Sequence, residues 1–358
     1  MRYAGPCARL RAGAADRRAG GGHVRIGVAG AGRMGTLHTQ TLCSLATVTE
    51  VIVADPDAAR ARTLPRHPKV AFTAEPAALT RAGIDGLVVA AATDAHPDLI
   101  VAGARAGIPV FCEKPAATDA ATTRAILDAV SGSPVPVFIG FQRRFDAGYR
   151  AARDAVRSGR LGWLHTVRAC TLDPAPPSLA YLRASGGFFR DCSVHDFDIV
   201  RWVTGQEVTE VFAYGTVHGD DRFREAGDVD TVAALLRLSG STFVHVSATR
   251  YNAQGYDVRL EALGSLASLS VGLDDRLPLE SLEAGVTFPS GPPYASFLER
   301  FGPAYAAELS AFTQSIADGG RAGDMCTLVD ALEATLIADA CERSRREHRP
   351  VAMEELRG

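Results

Sequence analysis

The chain of 358 residues has no run of 18 apolar residues, no C-x-x-C pair, no compact Cys/His cluster, no internal repeat and no low-complexity tract. The first absence excludes an ordinary membrane-spanning helix. The next two exclude a structural zinc site of the usual spacing, so no metal is expected. The seven cysteines, Cys7, Cys43, Cys112, Cys170, Cys192, Cys326 and Cys341, are odd in number and scattered, which suits reduced thiols in a cytoplasmic protein rather than a disulfide framework. With a net charge of −3 the chain lacks the basic excess that would draw it to nucleic acid or to an anionic membrane. Small molecules are left as the expected ligands. The charge run at 342–347 reads as a solvated helix end.

What is present is enough apolar residue, 47% of the chain, to build two cores. Residues 1–22 are rich in Arg, Ala and Gly. Arg17-Arg18 is not followed by the apolar stretch that an export signal needs, so the segment reads as a flexible tail. From Val24 the runs VRIGVA, VTEVIVAD, VAFT, GLVVAAA, PVFC and VPVFIG alternate with helical stretches. Runs that are apolar throughout suit strands covered on both faces, and connections of about 10 to 20 residues suit crossover helices. This predicts a parallel βαβ domain over 24–145. After it come a helix at 147–158, a Pro-rich loop at 173–178 and a Gly-led helix over 187–203. Strands then dominate (EVTEVFAYGTVH, DTVAALLRL, TFVHVSATR, YDVRLEALG, SLASLSVG), separated by turn residues as in an antiparallel sheet. Helices are predicted at 303–318 and 327–346. The fold class expected is α/β: an N-terminal Rossmann domain, a second α/β domain over 146–300 with a large, mostly antiparallel open sheet, and helices in 301–358 that return to the first domain.

Gly30-Ala31-Gly32-Arg33-Met34-Gly35 fits G-x-G-x-x-G directly after a strand and at the start of a helix. Glycines there allow the tight turn and the approach of backbone N–H groups and a helix N-terminus to a pyrophosphate. Asp55 lies 20 residues after Gly35, at the end of the second strand, where a carboxylate accepts hydrogen bonds from the adenosine ribose and repels a 2′-phosphate. NAD is therefore the expected cofactor, with Arg60 and Arg62 near enough in sequence to keep NADP open.

Three further motifs follow in order: Glu113-Lys114-Pro115 after the fifth strand, 140–146 (GFQRRFD), and 186–198 (GGFFRDCSVHDFD). Taken alone, the first is an exposed turn with an ion pair. Asp191 and His195, four apart, share one face of a helix and are commonly a surface pair. Together with the glycine loop, the motifs make the chain similar to the glucose–fructose oxidoreductase, inositol dehydrogenase and MocA family, and to its inositol 2-dehydrogenases in particular, over about 24–351.

The resemblance implies an NAD-dependent oxidation of a secondary hydroxyl of a cyclic polyol or sugar by a cytoplasmic homodimer or homotetramer. It implies that Lys114 is catalytic and that Asp191 and His195 form an acid/base dyad, His195 taking the substrate proton and Asp191 orienting it. Asp196 and Asp198 stand as alternative partners of the histidine. Glu113, Lys114, Thr93 and His96 are placed beside the cofactor, although Thr93 or Asp94 could simply cap a helix. Arg144 and Tyr256 are placed on the substrate side; a bracing arginine and a cross-strand aromatic are the plainer readings. The substrate ring is expected between the domains, over the nicotinamide. An NADP-dependent reductase of a keto-sugar or imine, and a non-catalytic dinucleotide-binding regulator, remain as alternatives.

Overall fold

The computed structural model describes residues 23–319, 321 and 323–357; the expected tail at 1–22 lies outside the described residues. In chain order the elements are β1 (Val24–Ala29), α1 (Arg33–Ser44), β2 (Val48–Ala54), β3 (Val70–Thr73), β4 (Gly86–Val89), α2 (His96–Arg105), β5 (Val110–Glu113), α3 (Ala120–Val130), β6 (Val137–Gly140), α4 (Ala147–Arg157), β7 (Leu164–Leu172), α5 (Leu179–Ala184), α6 (Val194–Thr204), β8 (Val208–Thr216), α7 (Arg222–Ala226), β9 (Thr231–Leu238), β10 (Phe243–Thr249), β11 (Asp257–Gly264), β12 (Ser268–Val271), α8 (Phe297–Ala317) and α9 (Leu328–Glu347). No helix among the described residues is long and apolar enough to cross a membrane.

The chain divides into two units. The first comprises the chain to Glu113 with Asp128–Phe138 and Leu309–Gly323; the second comprises Lys114–Leu127, Ile139–Glu308 and the chain from Asp324.

In the first unit a parallel sheet runs in the order β6-β5-β4-β1-β2-β3. Register brings Ala29 of β1 level with Ala54 of β2 and Val89 of β4, so three carboxyl ends finish together. Strand order reverses between β1 and β4, which is where open sheets of this kind build their ligand crevice. The continuous apolar runs are explained by burial on both faces: Ile26, Val28, Val51, Val53, Val88 and Val89 are fully buried. A Cβ on Gly86 would lie 2.6 Å from Ile316 and 3.1 Å from Phe312, so the later part of α8 packs on β4 closer than any side chain there would allow.

In the second unit the sheet order is β12-β11-β7-β10-β9-β8, followed by the short edge pair Val351–Ala352. Its pairs are antiparallel except β10 with β7, which is parallel. Strict alternation of buried and exposed residues in β9 and β10 gives the sheet one core face and one open face. Tyr214, Leu235 and Phe243 stand on the open side, 57%, 42% and 50% exposed.

Four expectations change. Leu164–Leu172 is a central strand that no pattern announced, because it mixes His, Thr, Arg and Cys with its apolar positions. The helix expected over 187–203 is a π-type turn, Phe189–Ser193, running into α6. Helix α8 begins at Phe297 and carries Pro303 in its interior rather than at its start. Finally, the 301–358 segment does not return to the first unit as a whole: only Leu309–Gly323 groups there, while α9 packs on β8 and α6 of the second unit.

The glycine loop yields a stability test. An alanine Cβ at Gly35 would lie 2.0 Å from the Gly30 carbonyl oxygen, which backbone cannot vacate, whereas at Gly107 (φ +71°) nothing lies within 4 Å. Gly35→Ala should cost about 3 kcal/mol or more in urea unfolding, and Gly107→Ala only about 1 kcal/mol from its backbone conformation. Equal losses would show that the Gly35 contact is not a constraint.

Candidate active site

The glycine loop belongs to the first unit. Gly30 has φ +102°, and a Cβ there would meet the Ala90 carbonyl oxygen at 2.4 Å, so this glycine makes the turn across the end of β4. Gly32 precedes α1 with no side chain capping the helix; only the Arg60 guanidinium, at 3.3 Å, approaches where its Cβ would stand. Gly35 packs the start of α1 onto Gly30. A tight turn, an uncovered helix N-terminus and a close helix–strand contact are the three conditions for a pyrophosphate cradle, so the loop fits a dinucleotide. Ala31 takes part through its backbone: its N–H donates to Oδ2 of Asp55 at 2.8 Å, and Asp57 N–H donates to Oδ1 at 2.9 Å. Asp55 thus ties β2 to the loop while its carboxylate keeps lone pairs to accept a ribose hydroxyl. Arg60 Nε stands 3.8 Å from Oδ2 of Asp55. Arg33 is exposed and Met34 half-buried on the first turn of α1.

After β4, Thr93 lies in a short turn that neither it nor Asp94 caps. The capping explanation therefore does not hold. His96 is buried at the start of α2 with Nε2 3.1 Å from the Ala91 carbonyl oxygen. At the end of β5, Glu113 bonds Nε2 of the fully buried His38 at 2.6 Å, which anchors the residue preceding Lys114.

Lys114, Asp191 and His195 all fall in the second unit. Nζ of Lys114 donates to the Asp191 carbonyl oxygen at 2.8 Å and to its Oδ1 at 3.2 Å. Tyr181 on α5 donates its hydroxyl to the same Oδ1 at 2.8 Å, and Arg250, just after β10, donates to Oδ2 at 2.5 Å. Burial alone would raise the Asp191 pKa, but the Lys114 and Arg250 cations outweigh it and hold the carboxyl well below its usual range. For Lys114, burial works against the ammonium; Asp191, Tyr181 and the hydrogen bond overcome it and raise the pKa. Lys114 is thus a permanent cation and a donor.

His195, on the first turn of α6, lies edge-on to Phe141 with ring centroids 5.5 Å apart. Its Nδ1 is buried without a hydrogen-bond partner. The expected Asp191–His195 dyad is not made: Nδ1 of His195 has no hydrogen-bond partner, while Asp191 is bonded by Lys114, Tyr181 and Arg250. Nor do the alternative partners serve: Asp196 receives Arg143 at 2.6 Å and Thr171, and Asp198 receives Arg144. Burial, then the Lys114 and Arg143 charges, lower the His195 pKa well below its ordinary value against a weaker pull from Asp191. That direction favours the neutral imidazole.

Arg144 also departs from expectation. Its Nε and Nη2 reach both oxygens of Asp198 at 2.9 and 2.5 Å and Nη1 reaches Asp330 at 3.2 Å, with the side chain 5% exposed, so it offers no substrate a donor. Tyr256 is buried edge-on to Phe297 and Phe301, centroids 6.5 and 6.4 Å away. Tyr181, Asp173 and Arg250 were not foreseen. Arg250 bridges Asp191 to Asp173, the latter at 2.6 Å, from a strand end whose only sequence signal is an arginine after an alternating run.

Comparison with known proteins defines the class. Residues 24–141 match the oxidoreductase family with an NAD-binding Rossmann fold, and 149–270 match the GFO/IDH/MocA C-terminal domain. The chain belongs to the Gfo/Idh/MocA oxidoreductase family. Inositol 2-dehydrogenase of Rhizobium meliloti (strain 1021) is 34% identical over 330 residues, covering 92% of this chain and 99% of that protein. The crystal structure of a myo-inositol dehydrogenase from Corynebacterium glutamicum ATCC 13032 matches with TM-score 0.84 and 33% identity over 92% of this chain and 98% of that one. Scyllo-inositol dehydrogenase from Lactobacillus casei, solved with bound cofactor NAD(H) and scyllo-inositol, matches with TM-score 0.81 and 26% identity over 93% and 99%.

Because Arg144 is the cation bonded to the buried Asp198, Arg144→Met should leave that carboxylate uncompensated and cost about 3 to 5 kcal/mol in chemical denaturation, while Asp330 keeps Thr327 and Arg201. The KM of the folded fraction should change little. A raised KM at unchanged stability would return Arg144 to the substrate.

Proposed function

We propose that the chain is a cytoplasmic, homo-oligomeric dehydrogenase that uses NAD to oxidise a secondary hydroxyl of a cyclic polyol or sugar, as an inositol 2-dehydrogenase does. The observation that carries this reading is Lys114 bonded to the Asp191 carboxylate in the same unit as His195, whose Nδ1 bonds no carboxylate. NAD, when bound, supplies the acceptor for the hydride that leaves the hydroxyl-bearing carbon.

The rest falls to side chains. Lys114 donates a hydrogen bond to the substrate oxygen and stabilises the negative charge that develops as the proton leaves. His195 accepts that proton at Nε2, which its low proton affinity leaves ready in the neutral form. Asp191 acts on the lysine, not on the histidine. The regulator alternative loses support, since a protein without turnover has no use for a cation and a base kept apart in this way.

For the cofactor, Gly30, Gly32 and the first turn of α1 would hold the pyrophosphate and Asp55 would receive the adenosine ribose. Arg60 beside Asp55 is the one observation that favours tolerance of NADP, because its charge can offset the carboxylate. The open sheet face carrying Tyr214, Leu235 and Phe243 supports self-association.

Two tests follow. The acid limb of kcat/KM for alcohol oxidation should lie below the ordinary histidine pKa of about 6.5, since the lowered His195 pKa keeps the base neutral further into acid. His195→Ala should abolish the limb, and Lys114→Met should lower kcat by about 10² to 10⁴ with NADH binding nearly intact; near-normal turnover in either variant would refute the assignment. In fluorescence titrations Asp55→Ser should weaken NAD binding and relax discrimination against NADP. Preference of the wild type for NADP would remove the NAD reading.

A further inference from the structure

Asp191 lies one helical turn from His195, whose Nδ1 is buried and has no partner. An aspartate so placed would ordinarily take that nitrogen as its donor. Here that hydrogen bond is absent, and the group that fixes Oδ2 is Arg250. Its guanidinium reaches Oδ2 of Asp191 at 2.5 Å with Nη2 and Oδ2 of Asp173 at 2.6 Å with Nη1. It lies over the Phe188 ring at 4.9 Å, and its backbone N–H is fixed to the Asp230 carbonyl oxygen at 2.9 Å. The side chain is 7% exposed, and its own Nε is buried without a partner, so two carboxylates and a ring set its position at the cost of one donor.

We propose that Arg250 is a positioning residue of the reaction: by holding Oδ2 of Asp191 against Asp173 it commits that carboxylate to Lys114 and withholds it from His195. The proposal rests on the reading of His195 as the base. The groups that bear on Asp191 are Lys114, Tyr181 and Arg250; those that bear on His195 are Lys114, Arg143 and Asp191, with the Phe141 ring against one edge. Among these only Asp191 favours the imidazolium. With Arg250 gone, Oδ2 is free to accept from Nδ1, and the histidine gains a carboxylate partner that stabilises its charged form.

Arg250→Met keeps the length and the contact with Phe188. It should lower kcat about tenfold or more, since Lys114 loses a fixed anchor, and move the acid limb of kcat/KM upward by about one pH unit. Arg250→Lys, which keeps the charge but cannot bridge two carboxylates in the same way, should give the same shift in smaller measure and guards against misfolding of the first variant. Adding Asp191→Asn to either should cancel the shift, because the neutral amide cannot stabilise the imidazolium; a purely structural role for Arg250 would not make the limb depend on residue 191. An acid limb that stays within about 0.2 unit of wild type in the folded Arg250 variants, while His195→Ala abolishes it, overturns this inference alone. A limb that survives in His195→Ala overturns the assignment of the base, and this inference with it.

Discussion

One buried carboxylate organises the second unit's chemistry. Asp191 receives Lys114, Tyr181 and Arg250 on its two oxygens. An anion so buried is tolerable only when paired, and here the pairing divides the labour around it. Lys114 is kept positive because Asp191 faces it. His195 is driven toward the neutral form first by burial and then by the Lys114 and Arg143 cations, and Asp191 does not bond it. A donor and a proton acceptor with proton affinities driven in opposite directions are what the proposed alcohol oxidation needs, and burial together with neighbouring charges creates that difference.

The segment that carries these groups is braced from beneath by arginines. From the turn before α4, Arg143 is bonded to Asp196 and Thr171 and Arg144 to Asp198 and Asp330; Asp196 and Asp198 lie within one turn of His195 along α6, Thr171 on β7 and Asp330 on α9. Guanidinium suits both places because it bonds in a plane with several donors and stays charged when buried. Replacing these pairs by apolar groups could leave the fold as stable. What the pairs contribute is register: each aspartate of the D-x-x-x-H-D-x-D run has its own cation, and none is left to compete for the histidine.

In the first unit the equivalent constraint is steric. Gly30 and Gly35 are in contact with backbone that leaves no room for a Cβ. Asp55 then serves two ends: it closes the loop through Ala31 N–H and presents charge where a ribose would lie. Arg60, half-exposed beside it, tempers that charge.

What the sequence by itself determined is whatever depends on local spacing. Continuous apolar runs between helices specify a parallel sheet, because only strands covered on both faces read that way. The glycine loop and Asp55 are legible because their roles are set by backbone conformation within one βαβ unit. Lys114, Asp191 and His195 were singled out as members of ordered motifs, but the bond between Lys114 and Asp191 was not foreseen. Strand Leu164–Leu172 stayed hidden because a half-buried strand tolerates His, Arg and Cys on its open side. Arg144 resembled a ligand-binding arginine until Asp198 and Asp330 were seen to hold it. Tyr181, Asp173 and Arg250 carried little local signal, since Tyr181 and Arg250 meet Asp191 across 10 and 59 residues of chain and Asp173 meets Arg250 across 77. The tertiary structure alone decided that Asp191 bonds the lysine and not the histidine, because a carboxylate bonds whichever donors the fold brings to it, and sequence spacing names only the nearest.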